Sequence, residues 1–586
     1  MPAVRKLWHL VPNDAAAADR LAREARTTSV VAQLLLNRGI ATAEAARLFL
    51  DSPLNALHAP ESLPGVPAAA DRIARAVLDG KKICIYGDYD VDGTTGTAIL
   101  LGLLDLLGAK AEFYVPNRAE EGYGLNVEAV RLLAKCGIEL LVTVDCGIAS
   151  VAEAEEAQRL GLALIITDHH EMGERLPPAD VLVHPRLPGS TYPHAGLSGA
   201  GVAFKLAWAI AQRASGSDKV APRFREYLMD ALALAALGLV ADVMPLRDEN
   251  RSFVRHGLLR LAAKPTVGMA ALIAAAGLGE SKNLRAEDIG FKLAPRINAA
   301  GRLECARLVV ELLTTTNPAR AKEIAEYLED LNSKRQWIEK KATAQAREMV
   351  EANGYDREAG IVLGHADWHQ GVVGIVASRL VEQYARPVLL AALKANDELS
   401  TGSGRSVPGF LLHEALNACT AELQGHGGHA AAAGFKVLPS RLDALRTKFC
   451  DYAAKHFNGE PPAPRLRLEA EVPLSALTYG LLADLEKLEP YGADNVRPRF
   501  LATGLTLEGE PKKMGKGEHH LNFRVRQGNA VIRAVGWSMA ERIEELASAG
   551  GKCCLAFTPK LNEWQGQRKI EIEVVDLRPG SMPELV

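Results

Sequence analysis

Short apolar runs recur along the first half of the chain, separated by stretches in which apolar residues return every three or four positions. The runs Lys82–Tyr86, Ala111–Val115, Leu140–Val144, Ala163–Thr167 and Val181–Val183 predict strands, and the stretches between most of them predict helices. Strands alternating with helices imply a parallel sheet covered on both faces, here within a domain spanning 51–316. Residues 1–50 carry only short helical patterns. From the cap Asn317-Pro318 onward, Ile324, Leu328, Leu331, Ile338, Ala342 and Met349 keep helical spacing as far as Gly354, predicting one long connecting helix over 317–357. Residues 358–458 read as a second α/β unit. Pro461, Pro462 and Pro464 mark a linker, after which strict alternation (Leu466, Leu468, Val472; Leu521, Phe523, Val525) and turn glycines predict a β domain over 465–586, of OB-barrel type.

Composition narrows this picture. The 586 residues carry a net charge of −3, so no overall basic field advertises nucleic acid and any such surface must be local. Eight cysteines (84, 136, 146, 305, 419, 450, 553, 554) show no Cys-x-x-Cys spacing, which argues against a thiolate zinc site and for a reduced, cytoplasmic protein. Met1 to Asp14 lacks the apolar core of a signal peptide, and the greasiest segment, Ala231–Ala241, stops at Asp242. No membrane association is expected.

The chemistry sits where the apolar runs end. Lys82–Tyr86 runs into Gly87-Asp88-Tyr89-Asp90-Val91-Asp92-Gly93. If the backbone stays extended, the three aspartates point the same way, Gly93 makes the turn, and a helix follows over Thr94–Leu107. Leu140–Val144 is followed by Asp145, Ala163–Thr167 by Asp168-His169-His170, and Ala231–Ala241 by Asp242. Singly these could be a helix cap, a surface pair or a helix terminator. Together, at the carboxyl ends of elements in one sheet domain, they predict a shared metal site, because clustered carboxylates repel one another unless a cation joins them.

In order and spacing these four motifs resemble those of the DHH phosphoesterase superfamily, and in particular its bacterial exonucleases that degrade single-stranded DNA from the 5′ end. Tyr86 departs from the pattern, since some members place a histidine there. The resemblance implies two divalent cations, Mn²⁺ or Mg²⁺, held by Asp90, Asp92, Asp145, His169, His170 and Asp242, with Asp145 as the bridge. It gives Asp88 and Asp168 the task of orienting ligands or water and counts them with His169 as the catalytic set. Arg118, in the glycine-bearing loop after the second strand, and Arg296 and Arg302, in the loop-like stretch Pro295–Arg302, are expected to meet phosphates.

The second α/β unit resembles the DHHA1 domain, whose Ser-x-Arg and Gly-Gly-His motifs match Ser403, Arg405, Gly428 and His429. In the exonuclease branch that pocket takes the 5′-terminal phosphate. The β domain concentrates Lys512, Lys513, Lys516, Arg524, Arg526 and Arg533. Phe523, Trp537 and Trp564 are its possible stacking faces, with Trp537 expected in the core. The resemblance further implies a monomer that degrades 5′-ended single-stranded DNA to mononucleotides in recombination and repair. It also implies work alongside a single-strand-binding protein and a helicase. The rival functions are hydrolysis of short oligonucleotides or cyclic dinucleotides, and a silent relative that only binds DNA.

Overall fold

The computed structural model describes every residue except 1–4, 118–120, 123, 282, 304–305, 460, 462, 549 and 565–566. The chain divides into two compact units, one formed by residues 11–329 with 468–583 and the other by 1–10, 330–467 and 584–586.

The first unit begins with three helices, α1 (Ala15–Ala25), α2 (Ser29–Leu36) and α3 (Ala43–Asp51). The sheet domain follows with α4 (Val66–Leu78), β1 (Lys82–Gly87), α5 (Val91–Leu106), β2 (Lys110–Tyr114), α6 (Val127–Lys135), β3 (Leu140–Val144), α7 (Val151–Arg159), β4 (Ala163–Thr167) and β5 (Val181–Val183). The strands lie in the order β2-β1-β3-β4-β5, and every pairing is parallel. β1 and β3 are buried on both faces, apart from Lys82, which explains their unbroken apolar runs. Helices α8 (Gly199–Ser215), α9 (Pro222–Ala241) and α10 (Asp248–Ala263) complete the layer. α5 packs against both α8 and α9 and is buried from Val91 to Leu100 without a gap, as a helix with no polar stripe must be.

The stretch expected as a loop at 295–302 is helical, within α11 (Ala294–Leu303). Ala294, Ile297, Ala300 and Gly301 are buried there, so a helical stripe is present among residues that, one by one, favour loops. Helix α12 then runs unbroken over Pro318–Asn353.

In the second unit, β6 (Ile361–His365), α13 (Gln370–Tyr384), β7 (Val388–Ala392), β8 (Ser400–Arg405), β9 (Gly425–Gly428) and β10 (Ala432–Val437) build a five-stranded sheet in the order β9-β10-β8-β7-β6. Only β6 and β7 pair in parallel. Ala342, Ala346 and Val350 of α12 share a core with Ile361, Leu363, Val376 and Leu380.

The C-terminal domain contributes β11 (Ala470–Glu471), α14 (Tyr479–Glu486), β12 (Phe500–Leu507), β13 (Lys512–Met514), β14 (His520–Gln527), β15 (Ala530–Gly536), β16 (Lys552–Trp564) and β17 (Gln567–Pro579). They form one seven-stranded sheet in the order β11-β12-β16-β17-β15-β14-β13, and an extra β12–β14 pairing curls it on itself, as an OB barrel requires. Its core does not stand alone. Leu21, Val31, Leu34 and Leu35 of α1 and α2 are buried in the same cluster as Leu485, Phe500, Leu555 and Phe557. The N-terminal helices, set apart in the sequence as a segment of their own, are thus one wall of the barrel's core. Arg251 of α10 is only 2% exposed and donates to the carbonyls of Phe49, Lys487 and Glu489. It ties helix α3, helix α10 and the segment after α14 together without a carboxylate partner among these bonds.

Candidate functional site

β1 ends at Gly87, and the aspartates after it are not held by an extended run. Asp90 caps α5, its carboxylate accepting from Gly93 N at 3.0 Å, and Asp92 lies in the first turn of that helix. Gly93 is therefore inside a helix rather than at a turn. It is needed because a Cβ there would stand 2.6 Å from the Asp88 carbonyl oxygen. The acids still converge, because a helix start supplies what the strand does not. Asp92 reaches across to the N-terminus of α8 and accepts from Gly199 N (2.5 Å) and Ala200 N (3.0 Å), where open N–H groups and the helix dipole favour an anion. A side chain at Gly199 would lie 2.5 Å from Asp145 Cβ, and one at Gly238 of α9 2.2 Å from Asp92 Oδ1. The run Ser198-Gly199-Ala200-Gly201 went unread in the sequence. A capping serine followed by small residues was the available signal.

Asp145 follows β3 with φ +65°, a left-handed conformation that aspartate tolerates better than most residues, and its N–H donates to Thr167 O of β4. His169 Nε2 lies 3.1 Å from Asp145 Oδ1, 3.5 Å from Asp242 Oδ2 and 3.8 Å from Asp92 Oδ2. Three sets of ligand atoms each lie within 4.8 Å of one another: Asp145 with His169 and His170, Asp92 with His169 and Asp242, and Asp88 with Asp90 and Asp145. Asp145 and His169 each belong to two sets. Asp88 thus stands where it could ligate as well as orient. Asp168 has other work, since its carboxylate accepts from the N–H groups of Ile148, His169 and His170 and pairs with His170 Nδ1 at 2.8 Å. A carboxylate hydrogen-bonded to an imidazole fixes the orientation of its ring, a common support for a metal-ligating histidine. Tyr86 is fully buried and donates to Gly124 O, 2.9 Å away.

The electrostatics fit a cation. Burial raises Asp145 well above the ordinary carboxylate range and the neighbouring aspartates raise it further. Asp90 is raised by burial and then by Asp92, and Asp242 is pushed up to about 8 by burial, Asp92 and Asp90. Burial lowers His169 to about 4. Burial also works against His170, but Asp168 outweighs it and raises the imidazole to about 9. Burial would raise Asp168, yet His170 and the backbone N–H groups hold it down to about 2. Oxygen-rich sites of this kind, with one or two imidazoles and no thiolate, suit Mn²⁺ or Mg²⁺.

Beside the acids lies a cavity of about 250 Å³ lined by Asp88, Tyr89, Asp90, Ala241, Asn298, Gly301 and Arg302. Gly301 is obligatory there, since a Cβ would sit 2.6 Å from Tyr89 O. Arg296 is not brought to this cavity. Its guanidinium is taken by Glu329 and by the Lys292 carbonyl, because it leaves α11 on the side facing α12. Arg118 lies outside the described residues.

The second unit carries the groups expected to form a phosphate pocket. Ser403 and Arg405 alternate along β8 and so share a face, with Arg405 Nη1 donating to Ser403 Oγ at 3.0 Å. The guanidinium crosses Gly374 in the first turns of α13, where a Cβ would be 3.0 Å from Arg405 Nη2. His369 caps that helix through Gly371 N. Gly428 has φ +139°, and an added Cβ would meet Ala433 Cα at 2.5 Å. Gly428 pairs with Ala433, which pairs with Gly404, so the two motifs lie on one sheet two strand spacings apart. Gly428 and His429 are exposed.

On the barrel, Trp537 is 48% exposed, not part of the core. β15 ends at Gly536, and the turn that follows takes the indole out of the inward register. It meets His520 edge-on at 4.8 Å. Phe523, by contrast, is buried in the core, and the Trp564 side chain lies outside the described residues. Arg526 and Arg533 are paired with Glu508 and Glu571, while Lys512, Lys513, Lys516 and Arg524 are exposed. Among the described residues no single helix is long and apolar enough to cross a membrane.

Known proteins match this chain along most of its length. The DHH family N-terminal domain matches residues 82–236, the DHHA1 domain 358–455 and the RecJ OB domain 468–576. The chain is 38% identical over 576 residues to the single-stranded-DNA-specific exonuclease RecJ of Bacillus subtilis, covering 98% of this chain and 71% of that one. It is 32% identical over 562 residues to the RecJ of Escherichia coli, covering 93% and 95%. The crystal structure of RecJ in complex with Mn²⁺ from Thermus thermophilus matches 99% of this chain and 80% of that one, with a TM-score of 0.83 at 32% identity. Relatedness over nearly the whole length, with three family domains matched along this chain, leaves one conclusion: this chain belongs to the RecJ family of DHH phosphoesterases.

Proposed function

We propose that this protein is a metal-dependent exonuclease that hydrolyses single-stranded DNA from its 5′ end and releases mononucleotides, in recombination and repair. The observation that carries the reading is Asp145, whose carboxylate belongs to two sets of ligand-competent groups at once, as a bridge between two cations must. In this assignment Asp90, Asp92, Asp145, His169, His170 and Asp242 hold two Mn²⁺ or Mg²⁺ ions, with Asp88 beside them. Bound there, such a pair supplies Lewis acidity for both the attacking and the leaving oxygen of a phosphodiester.

The chain's own residues do the rest. The α8 amides fix Asp92, and Asp168 fixes the ring of His170. Arg302 offers its guanidinium to a phosphate in the cavity beside Asp88 and Asp90, and Arg118 is assigned a similar contact. Ser403, Arg405, Gly428 and His429 take the 5′-terminal phosphate, which gives the reaction its polarity. The exposed lysines and Trp537 of the barrel hold the incoming strand by phosphate contacts and stacking, so binding weakens with salt. The protein works as a monomer in the cytoplasm, beside a helicase and a single-strand-binding protein.

The deciding experiment follows a labelled single strand and the matching blunt duplex with Mn²⁺, for the wild type and Asp145→Ala. The wild type is expected to reduce the single strand to mononucleotides and spare the duplex, and the variant to leave both uncut. Cleavage retained by Asp145→Ala would overturn the metal assignment.

A further inference from the structure

Helix α9 ends in a Schellman motif directly after Asp242. Val243 N donates to Val240 O at 3.2 Å and Met244 N to Leu239 O at 3.0 Å, which puts Val243 in the position after the cap that glycine usually fills. Its φ is +57°. A left-handed backbone is costly for any L-residue and worst for a β-branched one, whose Cβ substituents crowd the following carbonyl. Among the described residues with positive φ, other than glycine, Val243 is the only β-branched one. Nothing in the fold offsets that cost by packing, because Val243 is 69% exposed. Its neighbour Asp242 belongs to the acidic cluster, 3.5 Å from His169, and Ala241 lines the cavity beside it. Glycine or asparagine would make the same turn at less cost. Strain kept at an exposed residue next in sequence to a member of the acidic cluster points to a role in function rather than in folding.

We infer that Val243 is a substrate-contacting residue, its isopropyl group packing on the apolar surface, base or deoxyribose, of the nucleotide whose phosphate enters the acidic cluster. This rests on the exonuclease reading above. Such a contact tolerates any base, since it reads surface rather than hydrogen-bonding pattern.

The test compares the wild type with Val243→Ala, which keeps the strained backbone and loses two methyl groups, and Val243→Gly, which loses both strain and side chain. Both variants are expected to fall about fivefold in kcat/KM on a 5′-phosphorylated single strand, as partial loss of a buried branched side chain implies. Mn²⁺ stoichiometry and affinity, titrated with the metal alone, should stay at wild-type values, and Val243→Gly should melt above Val243→Ala. On a strand whose 5′-terminal nucleotide lacks its base, a loss that disappears assigns the contact to the base. A loss that persists assigns it to the sugar. Wild-type rates in either variant, or a loss that tracks weakened Mn²⁺ binding, would overturn the inference. A wild type that leaves single strands intact would end the exonuclease reading and this inference with it, whereas an active wild type beside equally active variants ends the inference alone.

Discussion

The acidic cluster and the Ser403–Arg405 pocket both sit on five-stranded sheets, yet they are built on opposite principles. The cluster gathers residues from position 88 to position 242 and buries Asp88, Asp92 and Asp145 to 2% exposure or less. Its groups repel one another, so helix caps, the α8 amides and three glycines without room for a side chain are needed to hold it together. The pocket draws on one strand, one hairpin and the start of α13, and its groups are half-buried or exposed. A site that awaits a cation must store like charge where water cannot screen it, and only a rigid, long-range framework can do so. A site that awaits an anion can be assembled locally from donors that water would otherwise satisfy.

The contrast is most easily broken at the cluster. Asp92→Ala removes the carboxylate seated on α8, and hydrolysis should fall beyond the roughly 10–100-fold that loss of a merely supporting group costs. Binding of a 5′-phosphorylated strand, measured by anisotropy in Ca²⁺, should stay within about twofold if that contact is local. A variant that loses both together would show that the two sites are not separable.

At the pocket, Arg405→Ala deletes a charged donor. KM for 5′-phosphorylated strands should rise roughly 10–100-fold while kcat holds, and the preference over 5′-hydroxyl strands should vanish. An unchanged ratio of the two substrates would remove the 5′-phosphate from this pocket.

The smallest effect is on stability. A carboxyl raised on folding binds more protons folded than unfolded between its ordinary value and its raised one, so stability falls as pH rises through that interval. Asp242, raised to about 8 from 3.8, and His170, raised to about 9 from 6.5, act with this sign. His169, lowered from 6.5 to about 4, opposes them only below its ordinary value. Above pH 6.5 the metal-free protein should therefore lose stability, by at most about 1.4 kcal/mol per group per pH unit. A Tm series in chelator should drop by a few degrees from pH 6.5 to 8.5, and Mn²⁺ should flatten it. A Tm that climbs over this range without metal would contradict the charge balance described for the cluster.

Much of this was legible in the residues themselves. β3, β4 and β5 have the bounds that their apolar runs predict, since none of the three holds a charged position to blur its ends, and β3 is buried throughout while β4 is buried from its second residue on. The cluster was legible because Asp145 and the Asp168–His170 run follow such strands directly. Arg296 and Trp537 show that a side chain's surroundings are set by what faces it, Glu329 for the first and solvent for the second. Residues 295–302 read as a loop because asparagine, proline and glycine outweighed a stripe of small buried residues.

The sequence by itself determined the layout of sheets and helices and the kinds of group at the ends of the strands, since periodicity and local chemistry are written residue by residue. Only the tertiary structure decided that α8 would turn its amides on Asp92, that α1 and α2 would wall the barrel, and that Val243 would stand strained and exposed beside Asp242. Those outcomes depend on contacts between segments far apart in the chain, and no local pattern encodes which distant surface will arrive.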